Sequence, residues 1–153
     1  MAAPDNPAPP GPVLVGVDGS SGAERAVRLA VGLASRTDRP LVILYGWSHD
    51  RPDTLETFET HAEKVLSAAV ATAEELAPGL EVTTEAHPVD AAQALIEASR
   101  DASLLVVGSR GMGGFRGIML GSVSQRCAHH AHCPIVIVPP PSTPAEGVGC
   151  DPG

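Results

Sequence analysis

Apolar residues gather in four short runs, Val13–Val17, Pro40–Trp47, Leu104–Val107 and Pro134–Val138. Continuous runs of this length, bounded by turn-forming residues, predict strands, with Pro40–Trp47 buried on both faces and Leu104–Val107 buried. A fifth run behaves differently, because Leu80, Val82, Thr84 and Ala86 alternate with Glu81, Thr83, Glu85 and His87. That period of two predicts a strand with one wet face, placed at a sheet edge. Between the runs the period changes. Ala26, Val27, Ala30, Leu33 and Ala34 recur at helical spacing behind the capping-box pair Ser21 and Glu24, and the helix they predict ends near Arg36. Leu55, Phe58, Ala62, Val65, Leu66, Ala69, Ala73 and Leu76 trace a long second helix, stopped by Pro78-Gly79. Asp90 is placed to cap a third, carrying Ala91, Ala94, Leu95 and Ala98. A fourth spans roughly Ser122 to His132, with Ser122 and Gln125 at capping-box spacing.

Five strands alternating with four helices predict an α/β fold: a single open, doubly wound domain with a parallel sheet and helices on both faces. Ligands of such sheets bind outside the carboxyl ends of the strands, where strand order reverses. The loops after the first and fourth strands are therefore the ones that matter for function. Both are rich in glycine and serine.

Composition narrows this further. The 153 residues are 43% hydrophobic but only 3% aromatic, so one core must be built from Val, Leu, Ile and Ala. The domain is expected over residues 13–139, with proline-rich, disordered segments at 1–12 and 140–153. The first twelve residues lack the basic start and apolar stretch of a signal peptide, and no apolar run approaches the ~20 residues of a bilayer span. Three cysteines, Cys127, Cys133 and Cys150, suit a reducing compartment better than a disulfide framework. A cytoplasmic protein away from membranes is expected. A net charge of −8 argues against nucleic acid as a partner. Yet no acidic residue falls between Asp101 and Glu146, a span that holds Arg110, Arg116 and Arg126. A small anion fits that local balance.

That span contains "GSRGMGGFRGIMLGSVSQ", Gly108 to Gln125. A plain strand-to-helix turn needs only a few residues. This one is far longer, and its glycines suit main-chain N–H groups wrapped around an anion. The start of the last helix would add orphan N–H groups and the positive end of its dipole; a hydroxyl at Ser122 or Ser124, and the charge of Arg110, could contribute. The lysine-bearing phosphate loop of ATPases is absent, since the one lysine, Lys64, lies on the second helix. The dinucleotide fingerprint is absent too, because "GVDGSSG" has the wrong glycine spacing.

Gly108-x2-Gly111-x9-Gly121-Ser122 resembles the G-2x-G-9x-G-[ST] motif of the nucleotide-binding universal stress proteins. The resemblance extends to "VGVDGS", "LYGW" and "SVSQRCAHHAHCPIVIVP", from Val13 to Pro139. It implies strand order 3-2-1-4-5 and a homodimer paired through the last strand, each subunit holding ATP, with magnesium or manganese as candidate counter-ions. It further implies that Asp18, with Gly16 and Val17, meets the adenosine, and that Gly46 lines the adenine. Gly108, Gly111, Gly121, Ser122, Val123 and Ser124 would hold ribose and phosphates, with Ser109 and Arg110 inside the loop. The implied role is that of a stress-response sensor or regulator. No convincing general base stands in either loop, so binding is expected rather than catalysis, with slow ATP hydrolysis or a nucleotide-free dimeric protein as alternatives. His129 and Cys133, and likewise Cys127 and His130, could share a helix face as metal ligands. The family carries such residues before its last strand without zinc, and no metal site is expected; the role of these residues and of His132 stays open.

Overall fold

The computed structural model describes residues 11–47, 55–109 and 120–140. In chain order these form β1 (Val13–Gly16), α1 (Ser21–Thr37), β2 (Leu41–Gly46), α2 (Leu55–Leu76), β3 (Val82–His87), α3 (Ala91–Ala98), β4 (Leu104–Gly108), α4 (Ser122–His130) and β5 (Ile135–Val138). A 3-10 turn, Ser99–Asp101, follows α3. The strands form one parallel sheet in the order β3-β2-β1-β4-β5, the implied topology. β1 is its centre, with Val15 registered on Ile43 to one side and Val106 to the other.

Alternation along each strand splits the core into two layers. Val13, Val15, Ile43 and Val106 face α1 and α2, where Ala26, Ala30, Ala34, Ala62 and Ala73 let the helices lie close. Leu14, Leu44, Leu105 and Val107 face the opposite side, against Leu95 of α3 and Cys127 of α4. Each such aliphatic side chain stabilises the fold by about 1.5–3 kcal/mol when fully buried.

Three expectations need correction. α1 is capped by Ser20, not Ser21: Ser20 is extended (φ −81°, ψ 164°) and its Oγ accepts from the Ala23 amide at 3.2 Å. α4 is capped by Gly121, also extended, and Ser122 is already helical, so no side chain caps this helix. On β3 only Val82 and His87 are partly covered; Thr84 and Ala86, on the expected dry face, are exposed. β3 is nonetheless an edge strand, as its alternation predicts. At the amino end of the central strand, Gly11 and Pro12, expected in the disordered arm, are tied to the domain. The Ser103 amide donates to the Pro12 carbonyl at 2.9 Å, and Arg39 Nη1 donates to the Gly11 carbonyl at 3.2 Å.

Candidate functional site at the switch point

Strand order reverses between β1 and β4, whose neighbours lie on opposite sides. At the carboxyl end of β1, Asp18 folds back so that its Oδ1 accepts from the Ser20 amide at 2.9 Å. Gly19 between them has φ +89°, a conformation that L side chains adopt only with strain. This turn delivers Ser20 to its capping position. Asp18 is thus a turn-forming carboxylate at the strand end.

The end of β4 is joined directly to the start of α4. The Ser109 amide donates to the Val138 carbonyl at 2.8 Å, and the Gly121 amide donates to the Ser109 carbonyl at 2.6 Å. Ser124 Oγ donates to that same Ser109 carbonyl at 2.8 Å. The chain therefore leaves at Ser109 and returns at Gly121 through one bonded point, the base of the intervening segment. Arg110 and Gly111 lie within that loop, outside the described residues. The first main-chain bond of α4 runs from the Gln125 amide to the Gly121 carbonyl at 3.0 Å. Helix geometry gives the amides of Ser122, Val123 and Ser124 no intrahelical acceptor, and they form the positive end of the helix dipole. Ser122 is exposed, whereas the Ser124 hydroxyl is buried and its one proton serves the loop base. Of the two hydroxyls, Ser122 is the one placed at the surface.

Three of the predicted site glycines, Gly16, Gly46 and Gly108, are also closely packed. A Cβ on Gly16 would stand 2.7 Å from Leu95 Cδ1, and one on Gly46 would stand 2.8 Å from Ala91 Cα and 2.9 Å from the Val89 carbonyl oxygen. A Cβ on Gly108 would stand 2.9 Å from the Gly22 carbonyl oxygen. β2 and β4 thus meet helix or loop backbone at their carboxyl ends, and β1 meets a buried leucine.

Sequence reasoning missed one electrostatic feature. Arg126 does not stand as an unopposed cation: its Nη1 lies 2.6 Å from Asp90 Oδ2. Nothing in a separation of 36 residues announces such a pair. Arg25 is a second surprise, reaching from α1 to the carboxyl end of β5, where its Nη2 donates to the Pro139 carbonyl at 3.2 Å. A cavity of about 420 Å³ opens between α1 and α2, lined by Val17, Glu24, Val27, Val65 and Thr72 among others. Of the predicted site residues it touches only Val17.

The cysteine and histidine cluster stays apart from the switch point. Cys127 is fully buried, and its thiol is pushed up to about 11, chiefly by burial, with Arg126 opposing and Asp90 reinforcing the shift. Burial raises the Cys133 thiol as well. His129 and His130 are exposed, with ring centroids 6.2 Å apart. Among the described residues no three His, Cys, Asp or Glu side chains converge as metal ligands, and no helix is long and apolar enough to cross a membrane.

Residues 11–139 match the sequence model of the Universal stress protein family. The chain belongs to that family. A universal stress protein of Mycobacterium tuberculosis (strain ATCC 25618 / H37Rv) is 38% identical over 135 residues, covering 82% of this chain and 44% of the relative. The chain thus spans less than half the length of that curated relative. Among solved structures, a universal stress protein in complex with cAMP is 29% identical, with TM-score 0.64, covering 86% of this chain and 98% of that one. The universal stress protein from Archaeoglobus fulgidus in complex with dAMP is 24% identical, with TM-score 0.66, covering 84% and 97%. At that identity the second likeness speaks to the fold.

Proposed function

We propose that this universal stress protein binds ATP at the switch point and acts as a dimeric, cytoplasmic stress-response sensor or regulator. The observation that carries the reading is the bonded loop base at Ser109 and Gly121, set against the open first turn of α4. A loop held shut at its root, beside N–H groups that lack helical acceptors, is built to enclose a phosphate chain. Gly108, Gly111, Gly121, Ser122, Val123 and Ser124 would hold ribose and phosphates, the phosphates on the acceptor-free amides of Ser122, Val123 and Ser124, while the amides of Ser109 and Gly121 stay committed to the loop base and Arg110 adds charge. Asp18, Gly16 and Val17 would meet the adenosine, and Gly46 the adenine. The solved relative in complex with cAMP supports an adenine nucleotide as the ligand class. The described residues offer no ready-made metal cage, so magnesium or manganese would be held chiefly by the phosphates, with the Asp18 carboxylate at hand.

The test is direct. Heat-denatured, purified protein should release adenine nucleotide on chromatography, or the apo protein should bind ATP by calorimetry, and Gly111→Arg should abolish that binding. An empty protein that binds no adenine nucleotide would overturn the reading. The close packing around Gly16, Gly46 and Gly108 favours a second reading, a nucleotide-free dimer working through partner contacts, because it gives those glycines a purpose without a ligand. The same experiment separates the two.

A further inference from the structure

We propose that the Asp90–Arg126 ion pair is a clamp that fixes the separation of the two walls of the nucleotide site, which makes both residues positioning residues. This rests on the reading above. One wall is the carboxyl end of β2, where Gly46 is packed against Val89 and Ala91 so tightly that no Cβ fits. Asp90 sits between those two residues and caps α3, its Oδ2 accepting from the Gln93 amide at 3.2 Å. The other wall is the start of α4, fixed to β4 through Ser109 and Gly121. Arg126 lies one helical turn beyond Ser122, and both are exposed. Between the walls runs β1, with α3 behind it: Leu95 fills the space beside Gly16. The 2.6 Å contact therefore ties the start of α3 to the start of α4 across the central strand.

The side chains of Arg126 and Asp90 are 51% and 43% exposed, and pairs so wet add little to global stability. Leu95 of α3 and Cys127 of α4 share one apolar layer, and the His132 amide donates to Ser99 Oγ at 2.9 Å just beyond the ends of the two helices; what the ion pair adds is a constraint between their starts. A site whose two ends recognise two parts of one ligand depends on that distance, because small displacements of positioned groups weaken binding out of proportion to their size. Arg126 also serves the site without facing the ligand, since Asp90 already occupies its guanidinium.

The experiment uses Asp90→Asn, which keeps an N-cap of equal quality, Arg126→Gln, and the double variant. Calorimetry with adenosine and with ATP is paired with amide hydrogen exchange on ligand-free protein. Each single variant should weaken adenosine and ATP alike by about threefold, and the double variant should be no weaker than the worse single, as a coupled pair requires. Amides of residues 94–97 and 125–128, which begin with the first amides bonded within each helix, should exchange faster in both singles. Wild-type affinity in both singles would overturn the clamp, as would additive losses, or a loss confined to ATP in Arg126→Gln, which would make Arg126 a phosphate contact instead. Should the wild-type protein bind neither ligand, the nucleotide reading falls, and exchange alone decides the clamp: faster exchange sustains it and unchanged exchange removes it.

Discussion

Gly108 has the Gly22 carbonyl oxygen where a side chain would go, and Gly46 has the Val89 carbonyl oxygen and Ala91 Cα. Backbone cannot step aside as a methyl group can. Gly108→Ala and Gly46→Ala should therefore each cost about 1–3 kcal/mol in urea unfolding. Gly16→Ala should cost less, because it meets only the methyl end of Leu95. The sequence marked these glycines only as candidate ligand contacts; the packing that excludes a side chain there was not legible, since the intruding atoms come from remote segments. Cys127 is a similar case, a buried thiol at about 11 against an ordinary 9.0. Its raised value means that folding favours the protonated thiol, so its contribution to stability is complete below pH 9 and is lost as pH rises through 9 toward 11. In a Cys150→Ser background, iodoacetamide at pH 8 should modify the partly exposed Cys133 well before Cys127. Equal rates would show that the α4 side of the core opens readily.

The five strands and four α-helices were legible, the strands from continuous or alternating apolar runs and the helices from their spacing and cap residues, whereas the 3-10 turn at Ser99–Asp101 was not. Helix starts were less so. In Ser20-Ser21 either serine satisfies the local pattern, and only the left-handed turn at Gly19 decides for Ser20. Ser20→Ala should lower stability by about 1 kcal/mol and Ser21→Ala by far less, read by thermal unfolding. Gly121 takes the capping place ahead of Ser122 for a comparable reason: its amide is drawn to the Ser109 carbonyl, which sets it extended one residue before the helix. On β3 alternation told which residues share a face but not whether anything covers that face, and Thr84 and Ala86 are left in water. The other end of α1 is held by a left-handed Asp38, φ 59°, with the Arg39 amide bonded back to the Ala34 carbonyl at 2.9 Å. Glycine suits that position better, so Asp38→Gly should raise the unfolding midpoint slightly rather than lower it.

The sheet has two unlike margins. β3 offers Thr83, Thr84 and an exposed Glu85–His87 contact at 2.9 Å, the polar dress that discourages strand-to-strand association. β5 offers Ile135, Val136 and Ile137, none fully buried in the single chain. Pairing through β5 is the proposed dimer contact, and Ile137→Lys should shift sedimentation from dimer toward monomer; an unchanged sedimentation coefficient would exclude this margin. Topology and glycine spacing point to the switch point as the candidate site, whereas the Asp90–Arg126 contact depends on how α3 and α4 lie across β1, which no local pattern encodes. The bonded root at Ser109 and Gly121 carries one more consequence. Because the sheet and α4 are joined there through Ser109, Gly121, Ser124 and Val138, replacing residues 110–119 with the matching sequence of a relative is expected to leave those bonds, and the scaffold beneath, in place.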